Sequence, residues 1–299
     1  MKSFIFILGL SLVFCLVDNA NHQNMVNFIN KLGTTWNSKF YKKDISTSIM
    51  SLIKKEKMIL PEKTIFKSSN DILPDNYDLR EAFPHCGSIR EIRGEGSDSW
   101  SFPSTGTMSD RICIISKGSL QTRVSSAYLA LCCEYCISSS YAFKFWVDNG
   151  IPSGGIYEDI NTCIPYFSPP DKSICPTSCQ EGYPKTLEQD KSYGESSYSV
   201  KGEENIMKEI YENGSVEGHF SVYEDFLSYK NGIYQHITGS YLGSLDTRII
   251  GWGVDNGNKY WLAANSWGES WGEKGFFRIR RGVNECGIES SAVTGLPKI

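Results

Sequence analysis

Two short stretches hold most of the side chains that could do covalent chemistry. Glu95-Gly96-Ser97-Asp98-Ser99-Trp100-Ser101-Phe102 offers hydroxyls at the start of a helical pattern. Asn265-Ser266-Trp267-Gly268, with Trp271 close behind, offers a side-chain amide in an aromatic setting. A serine hydroxyl is a poor nucleophile unless a base takes its proton. The four histidines, His22, His85, His219 and His236, read as surface or packing residues. Of the ten cysteines, Cys15 falls in the first apolar run; the others are Cys86, Cys113, Cys132, Cys133, Cys136, Cys163, Cys175, Cys179 and Cys286. In an exported chain these make a disulfide framework with one unpaired thiol. A zinc site is the rival reading, but no histidine lies near the clustered cysteines and oxidation is favoured outside the cytosol.

Composition and leader narrow the setting. Lys2 precedes an apolar run from Phe4 to Val17 that ends near Ala20, which predicts a cleaved secretory signal over 1–20. The run is short for a membrane span, and no later stretch could cross a bilayer. Thirty basic and 34 acidic residues give a net charge of −4 with no basic run, which argues against nucleic acid as partner. Nothing in the sequence calls for a cofactor or metal, and a monomer is expected.

Residues 21–71 lack cysteine, are rich in Lys and Ser, and include the helix-like stretch Met25–Leu32. Leu73-Pro74-Asp75 marks a break, after which cysteines and glycines begin, so 21–71 reads as a propeptide and 72–299 as the main domain. From Trp100 to Ser116 the apolar residues Phe102, Met108, Ile112 and Ile115 fall near one helical face. Pro103 is tolerated there because it lies in the first turn. Ser125–Cys133 and Ala142–Val147 predict further helices. Ile249–Val254 and Tyr260–Ala264 are short, aromatic and β-branched, and Asp255-Asn256-Gly257-Asn258 between them predicts a hairpin. Phe276–Arg280 adds a strand. Helices early and strands late predict an α+β chain with two halves facing across a cleft.

The sequence resembles cathepsin B, of the papain-like cysteine peptidases, over nearly its whole length. The resemblance rests on Asn30-Lys31 and Thr34-Thr35-Trp36, on Leu73-Pro74 with Tyr77-Asp78 and Arg80-Glu81, and on Ser109-Asp110-Arg111-Ile112-Cys113-Ile114. Ser153-Gly154-Gly155-Ile156-Tyr157-Glu158, Val216-Glu217-Gly218 with Phe220-Ser221-Val222-Tyr223, Gly251-Trp252-Gly253 and Asn265-Ser266-Trp267 extend it. It implies a helical half, a β-barrel-like half and a peptide-binding cleft between them. It also implies delivery through the secretory pathway to a lysosome or the exterior.

The family's reaction uses a cysteine thiolate, a histidine that pairs with it, an asparagine that orients the histidine and a glutamine that helps hold the oxyanion. Aligned residue by residue, Ser99 stands at the nucleophile, Leu245 at the histidine and Glu95 at the glutamine; only Asn265 keeps the family's type. Leucine accepts no proton, and an ionised carboxylate repels a developing oxyanion. Loss of nucleophile or base typically costs on the order of a millionfold in kcat, and a second loss adds little. Asp246 follows the histidine slot, and a serine-hydrolase reading with Asp246 as base for Ser99 is the minor alternative, since geometry comes before pKa.

Other cleft positions change as well. Trp100 and Trp267 keep the family's type, but the acidic residue of the specificity pocket aligns with Ser291. Cys136-Ile137-Ser138-Ser139-Ser140-Tyr141 replaces a glycine-rich wall that let substrate backbone approach. Ile164–Cys175 is too short to hold the histidine-bearing occluding loop. The resemblance implies disulfides Cys86–Cys113, Cys132–Cys175, Cys133–Cys136 and Cys163–Cys179, with Cys286 free. Asn213-Gly214-Ser215 is an N-glycosylation sequon and predicts a surface loop. The expectation is a secreted protein without proteolytic activity that binds a peptide, a protease inhibitor or another protein in its cleft; the alternative is the peptidase activity of the family.

Overall fold

The computed structural model describes residues 21–41, 58–63, 72–94, 100–136, 138–166 and 174–299. The expected signal segment, the occluding-loop remnant at 167–173, Glu95 and Ser99 lie outside the described residues.

Helix α1 covers residues 21–32 and leads into strand β1 (Trp36–Ser38). After the short β2 (Tyr77–Asp78) and α2 (Leu79–Ala82) comes the central helix α3 (Ser101–Ile115). Residues Ser101 to Ile114 of α3 are all buried. That needs a slim helix, and the run Ser104-Thr105-Gly106-Thr107 supplies it: a Cβ on Gly106 would sit 3.3 Å from the Arg248 guanidinium. The helix ends where Lys117 and Gly118 take positive φ of 55° and 84°, a conformation glycine adopts freely. Helix α4 (Ser126–Cys132) is capped by the Ser125 hydroxyl, which accepts from the Tyr128 N–H. Helices α5 (Ser139–Asn149), α6 (Leu187–Asp190) and α7 (Glu203–Asn213) complete the set; Glu203 and Glu204 favour the positive end of the α7 dipole.

The strands are β3 (Tyr198–Val200), β4 (Val216–Tyr223), β5 (Tyr229–Tyr234), β6 (Tyr241–Asp255), β7 (Asn258–Ala264), β8 (Phe276–Arg280) and β9 (Ala292–Thr294). They form one sheet in the order β1-β5-β8-β7-β6-β4-β9-β3, with β2 also paired to β6. The expected hairpin is β6–β7, turned by Asn256 and Gly257 at φ 49° and 78°, the pair of positive angles that suits right-twisted strands. The α+β architecture is as expected, but the β half is not barrel-like. Its outer strands β1 and β3 do not pair with each other, so the sheet stays open.

Two apolar clusters fill the halves. One lies on the sheet around Phe220, Phe226, Trp261, Trp271 and Phe277; the other joins α3, α4 and α5 around Met108, Leu129, Phe143 and Trp146. Disulfides join Cys86 to Cys113, Cys132 to Cys175, Cys133 to Cys136 and Cys163 to Cys179, and Cys286 is free. His85 approaches Cys86 and Cys113, but their sulfurs are bonded to each other and are not available as thiolates. Among the described residues no helix is long and apolar enough to cross a membrane.

The N-terminal segment is built into the sheet. β1 is an edge strand on β5, and Trp36 is 1% exposed among Tyr229 and Tyr234, donating from Nε1 to the Gln235 carbonyl at 3.0 Å. Further along, Lys63 pairs with the buried Glu209 at 2.9 Å.

Candidate functional site

Of the described residues singled out by their chemistry, Trp100 heads α3, Leu245 lies on β6 and Asn265 follows β7, near where α3 packs on β4 and β6. Polar contacts hold that packing. Ser104 on α3 donates to Glu217 Oε2 on β4 at 2.6 Å. Asp110 on α3 takes both of its oxygens to Arg248 Nη1 on β6 at 3.0 Å, and the Ser88 and Ser215 hydroxyls complete its shell. Buried charges are stable only when paired and hydrogen-bonded this fully. Arg93, also buried, reaches Glu91, Thr105, Ser109 and the Val124 carbonyl, tying the segment 91–94 to α3. Burial raises the Glu91 carboxyl, but the charges of Arg93, Arg123 and Arg248 outweigh it and hold its pKa down at about 2.

Leu245 sits on β6 opposite Phe220 of β4 and is 6% exposed, inside the apolar cluster of the sheet. Asn265 follows β7, and its Oδ1 accepts from the Ser266 N–H at 2.8 Å. Its Nδ2 is buried and meets no acceptor among the described residues. Leu245 offers none, because a hydrocarbon side chain neither donates nor accepts. Trp100, half-buried, stands at the head of α3. Trp267, expected in the cleft, lies in the aromatic core instead, edge-on to Phe226 and Trp271 at ring separations of 5.5 and 4.9 Å. Ser291 immediately precedes Ala292, the β9 partner of Gly218 on β4. Ser99 and Glu95, outside the described residues, precede Trp100 in the chain.

The sequon does not lie on an open loop. Asn213 ends α7 and donates from Nδ2 to the buried Glu209 at 3.1 Å. Ser215 is fully buried and its hydroxyl donates to Asp110 at 2.8 Å. The expected surface loop is overturned because the chain passes directly from α7 into the central strand β4.

The family model "Papain family cysteine protease" matches residues 73–296. The chain belongs to the papain family. Within this family it is similar to cathepsin B-like proteins. It is 38% identical to "Cathepsin B-like cysteine proteinase 5" of Caenorhabditis elegans over 93% of this chain and 90% of that protein. It is 42% identical to "Cathepsin B-like cysteine proteinase" of Schistosoma japonicum over 76% of this chain and 74% of that one. Among solved structures, "proCathepsin B S9 from Trypanosoma congolense" superposes with a TM-score of 0.79 at 31% identity, covering 92% and 97% of the two chains. The likenesses to the Caenorhabditis elegans protein and to the Trypanosoma congolense structure are long enough to take in part of the N-terminal segment as well as the papain-family domain, and all three are consistent with a secretory or lysosomal protein.

Two functional candidates escaped the sequence reading. His219, taken as a surface or packing residue, lies across from Asp246, with Nδ1 2.7 Å from Oδ1. Glu217, quoted only as part of a family stretch, is a fully buried carboxyl. Burial, and then the nearby Asp246 charge, push its pKa well above the usual carboxylate range, against the opposing pull of the Ser104 hydroxyl. His219 and Asp246 are 27 positions apart, so only the register of β4 on β6 brings them together. A larger recess of about 350 Å³, bounded by Leu73, Glu203, Met207, Lys208, Lys259 and Arg281, includes none of the residues singled out above.

Proposed function

We propose that this papain-family protein has lost peptide-bond hydrolysis and acts by holding a peptide, an inhibitor or another protein chain in the cleft between its halves. Residues 1–20 are its signal, 21–71 its propeptide and 72–299 its binding domain, delivered extracellularly or to a lysosome. The observation that supports the reading best is Leu245: the position that should carry the proton-accepting imidazole is an apolar core residue opposite Phe220, and the Asn265 amide beside the cleft has lost the partner it would orient. Ser99 in place of a thiol and Glu95 in place of an oxyanion donor point the same way. Removing base and nucleophile together leaves a residual rate of roughly a millionth of the parent enzyme.

The test has two arms. Purified full-length protein, with and without acid treatment to release the N-terminal segment, is assayed on dipeptidyl fluorogenic substrates; no turnover above the buffer blank is expected. The protein is also recovered from its native fluid and analysed by mass spectrometry, where a co-purifying peptide or protein is expected that is lost when the cleft is blocked. Cleavage that disappears in Ser99→Ala would overturn the reading.

A further inference from the structure

Strand β3 ends the sheet: β9 takes one of its edges, and residues 61–63 of the N-terminal segment meet the other. Glu62 bridges Ser199 in parallel register. The Ser199 N–H donates to the Pro61 carbonyl and the Lys63 N–H donates to the Ser199 carbonyl, both at 2.9 Å. An open strand edge accepts an extended segment by this route. The side chains around the bridge are held one by one. Leu60 is 7% exposed and joins the apolar cluster of α3, α4 and α5. Lys63 places Nζ 2.9 Å from Glu209 Oε2 and 4.7 Å from the centre of the Tyr198 ring. Glu62 pairs with Lys201 on the exposed side. Glu209 itself is fully buried. Its Oε1 accepts from Arg111, the Tyr198 hydroxyl and the Asn213 amide at 3.0, 2.7 and 3.1 Å, all from the main domain. Its Oε2 is reached, among the described residues, by Lys63 alone. A buried carboxylate oxygen left without a donor is costly, so this socket is complete only with a cation from the N-terminal segment.

We infer that the β3 edge and Glu209 form a lysine-reading strand site whose resident is this chain's own Leu60-Pro61-Glu62-Lys63, and that the site keeps the N-terminal segment on the main domain after the chain is cut beyond it, in acid as well as at neutral pH. The inference does not depend on what the cleft holds. Two anchors on one fragment reinforce each other, because release of either leaves it tethered by the second; the other anchor is Trp36 with β1 on β5. The charges persist in acid. Burial raises the Glu209 carboxyl, but Arg111, the Tyr198 hydroxyl and Lys63 outweigh it and hold its pKa below the usual value of 4.5. Burial lowers the Lys63 ammonium, but Glu209 outweighs it and raises its pKa above the usual 10.5. Tyr198, raised chiefly by burial, stays a neutral donor, and the Asn213 amide does not titrate. The Glu209 contribution is therefore full above 4.5 and is lost only as pH falls below that, through its lowered folded value; the Lys63 contribution is full below 10.5. Both charges stand at about pH 5.

The test cuts the chain and follows the fragment. A specific protease site is introduced between residues 64 and 71 of the full chain, the folded protein is cut there, and the N-terminal fragment is followed by gel filtration at neutral pH and at about pH 5. It should stay with the main domain at both. Lys63→Met, which keeps the length of the side chain and drops its charge, should shed the fragment about tenfold faster, the worth of one charge-assisted hydrogen bond, and Lys63→Arg should restore retention. Both changes lie in the N-terminal segment, so the Glu209–Arg111 pair that the main domain needs is left intact. Hydrogen exchange on the uncut chain reads the same contact: the stretch holding the Ser199 N–H should lose protection in Lys63→Met and keep it in Lys63→Arg. Loss of the fragment from the unmodified cut protein at about pH 5, or equal release rates and equal Ser199 protection in Lys63→Met and the unmodified protein, overturns the inference.

Discussion

Substituting Leu245→His puts back the imidazole that the family's reaction needs, and its cost in stability measures how far this position has become core. Leu245 is 6% exposed and packs in the apolar cluster with Phe220 across from it. Losing that burial costs about 2 kcal/mol. Placing a polar ring in the same space costs a further 1–3 kcal/mol, roughly, for groups left without partners. The Asn265 Nδ2, which has no acceptor among the described residues, returns about 1 kcal/mol if it bonds the new ring. The net loss is about 2–4 kcal/mol, and at 2–4 °C per kcal/mol for a domain of this size the melting temperature falls by about 5–15 °C. Calorimetry and urea unfolding of the unmodified protein, Leu245→His and Leu245→Ala measure it, the alanine variant losing about 2–5 kcal/mol through the cavity it leaves. The double variant Ser99→Cys/Leu245→His is assayed alongside and should recover little peptidase activity, because Glu95 still stands where the family has its oxyanion glutamine. If Leu245→His is as stable as the unmodified protein to within about 0.5 kcal/mol, the value typical of uncommitted surface positions, the reasoning is refuted. Brisk cleavage by the double variant would refute its catalytic half.

Four further outcomes are expected. Thiol-directed epoxide probes should give no activity-linked labelling; the remaining thiol, Cys286, is pushed far above its ordinary pKa by burial and then by Glu285, so it is a poor nucleophile, and intact mass after probe treatment reads this. Glu91→Gln and Glu217→Gln should have opposite pH signatures in thermal melts. The Glu91 carboxyl is depressed to about 2, so it stabilises the fold above its ordinary value of 4.5 and that contribution fades as pH falls from 4.5 toward 2; Glu91→Gln is therefore the less stable protein at neutral pH, with the gap closing in acid. The Glu217 carboxyl is raised, so its contribution is fully present below 4.5 and is lost as pH rises through its folded pKa; Glu217→Gln should be the more stable protein at neutral pH and match the unmodified one below 4.5. Intact mass before and after deglycosylation should show Asn213 unoccupied, because its amide donates to Glu209 and the sequon hydroxyl is buried on Asp110. Trp36→Ala should cost about 3–5 kcal/mol of docking and release the 21–41 segment to limited proteolysis that leaves 72–299 intact; equal protease resistance of the two proteins would argue against a docked propeptide.

Residue identity alone carries the proposal that this chain lacks its family's chemistry. A missing thiol and a missing imidazole are facts of Ser99 and Leu245 wherever they sit, and the β6–β7 turn was legible because Asn256-Gly257 has a local conformational preference that no packing needs to supply. Helix α3 was legible too, since its apolar spacing and first-turn proline are local. What surrounds those residues was decided by tertiary structure. Strand register set His219 against Asp246, and a helix crossing buried Glu217 under Ser104. The direct passage from α7 into β4 closed a sequon that reads as a loop, and the sheet's end strands β1 and β3 do not pair with each other to close a barrel. Trp267 moved from expected cleft to aromatic core for the same reason: side-chain partners depend on which strands neighbour each other, and contacts between distant segments leave no periodic trace in either one.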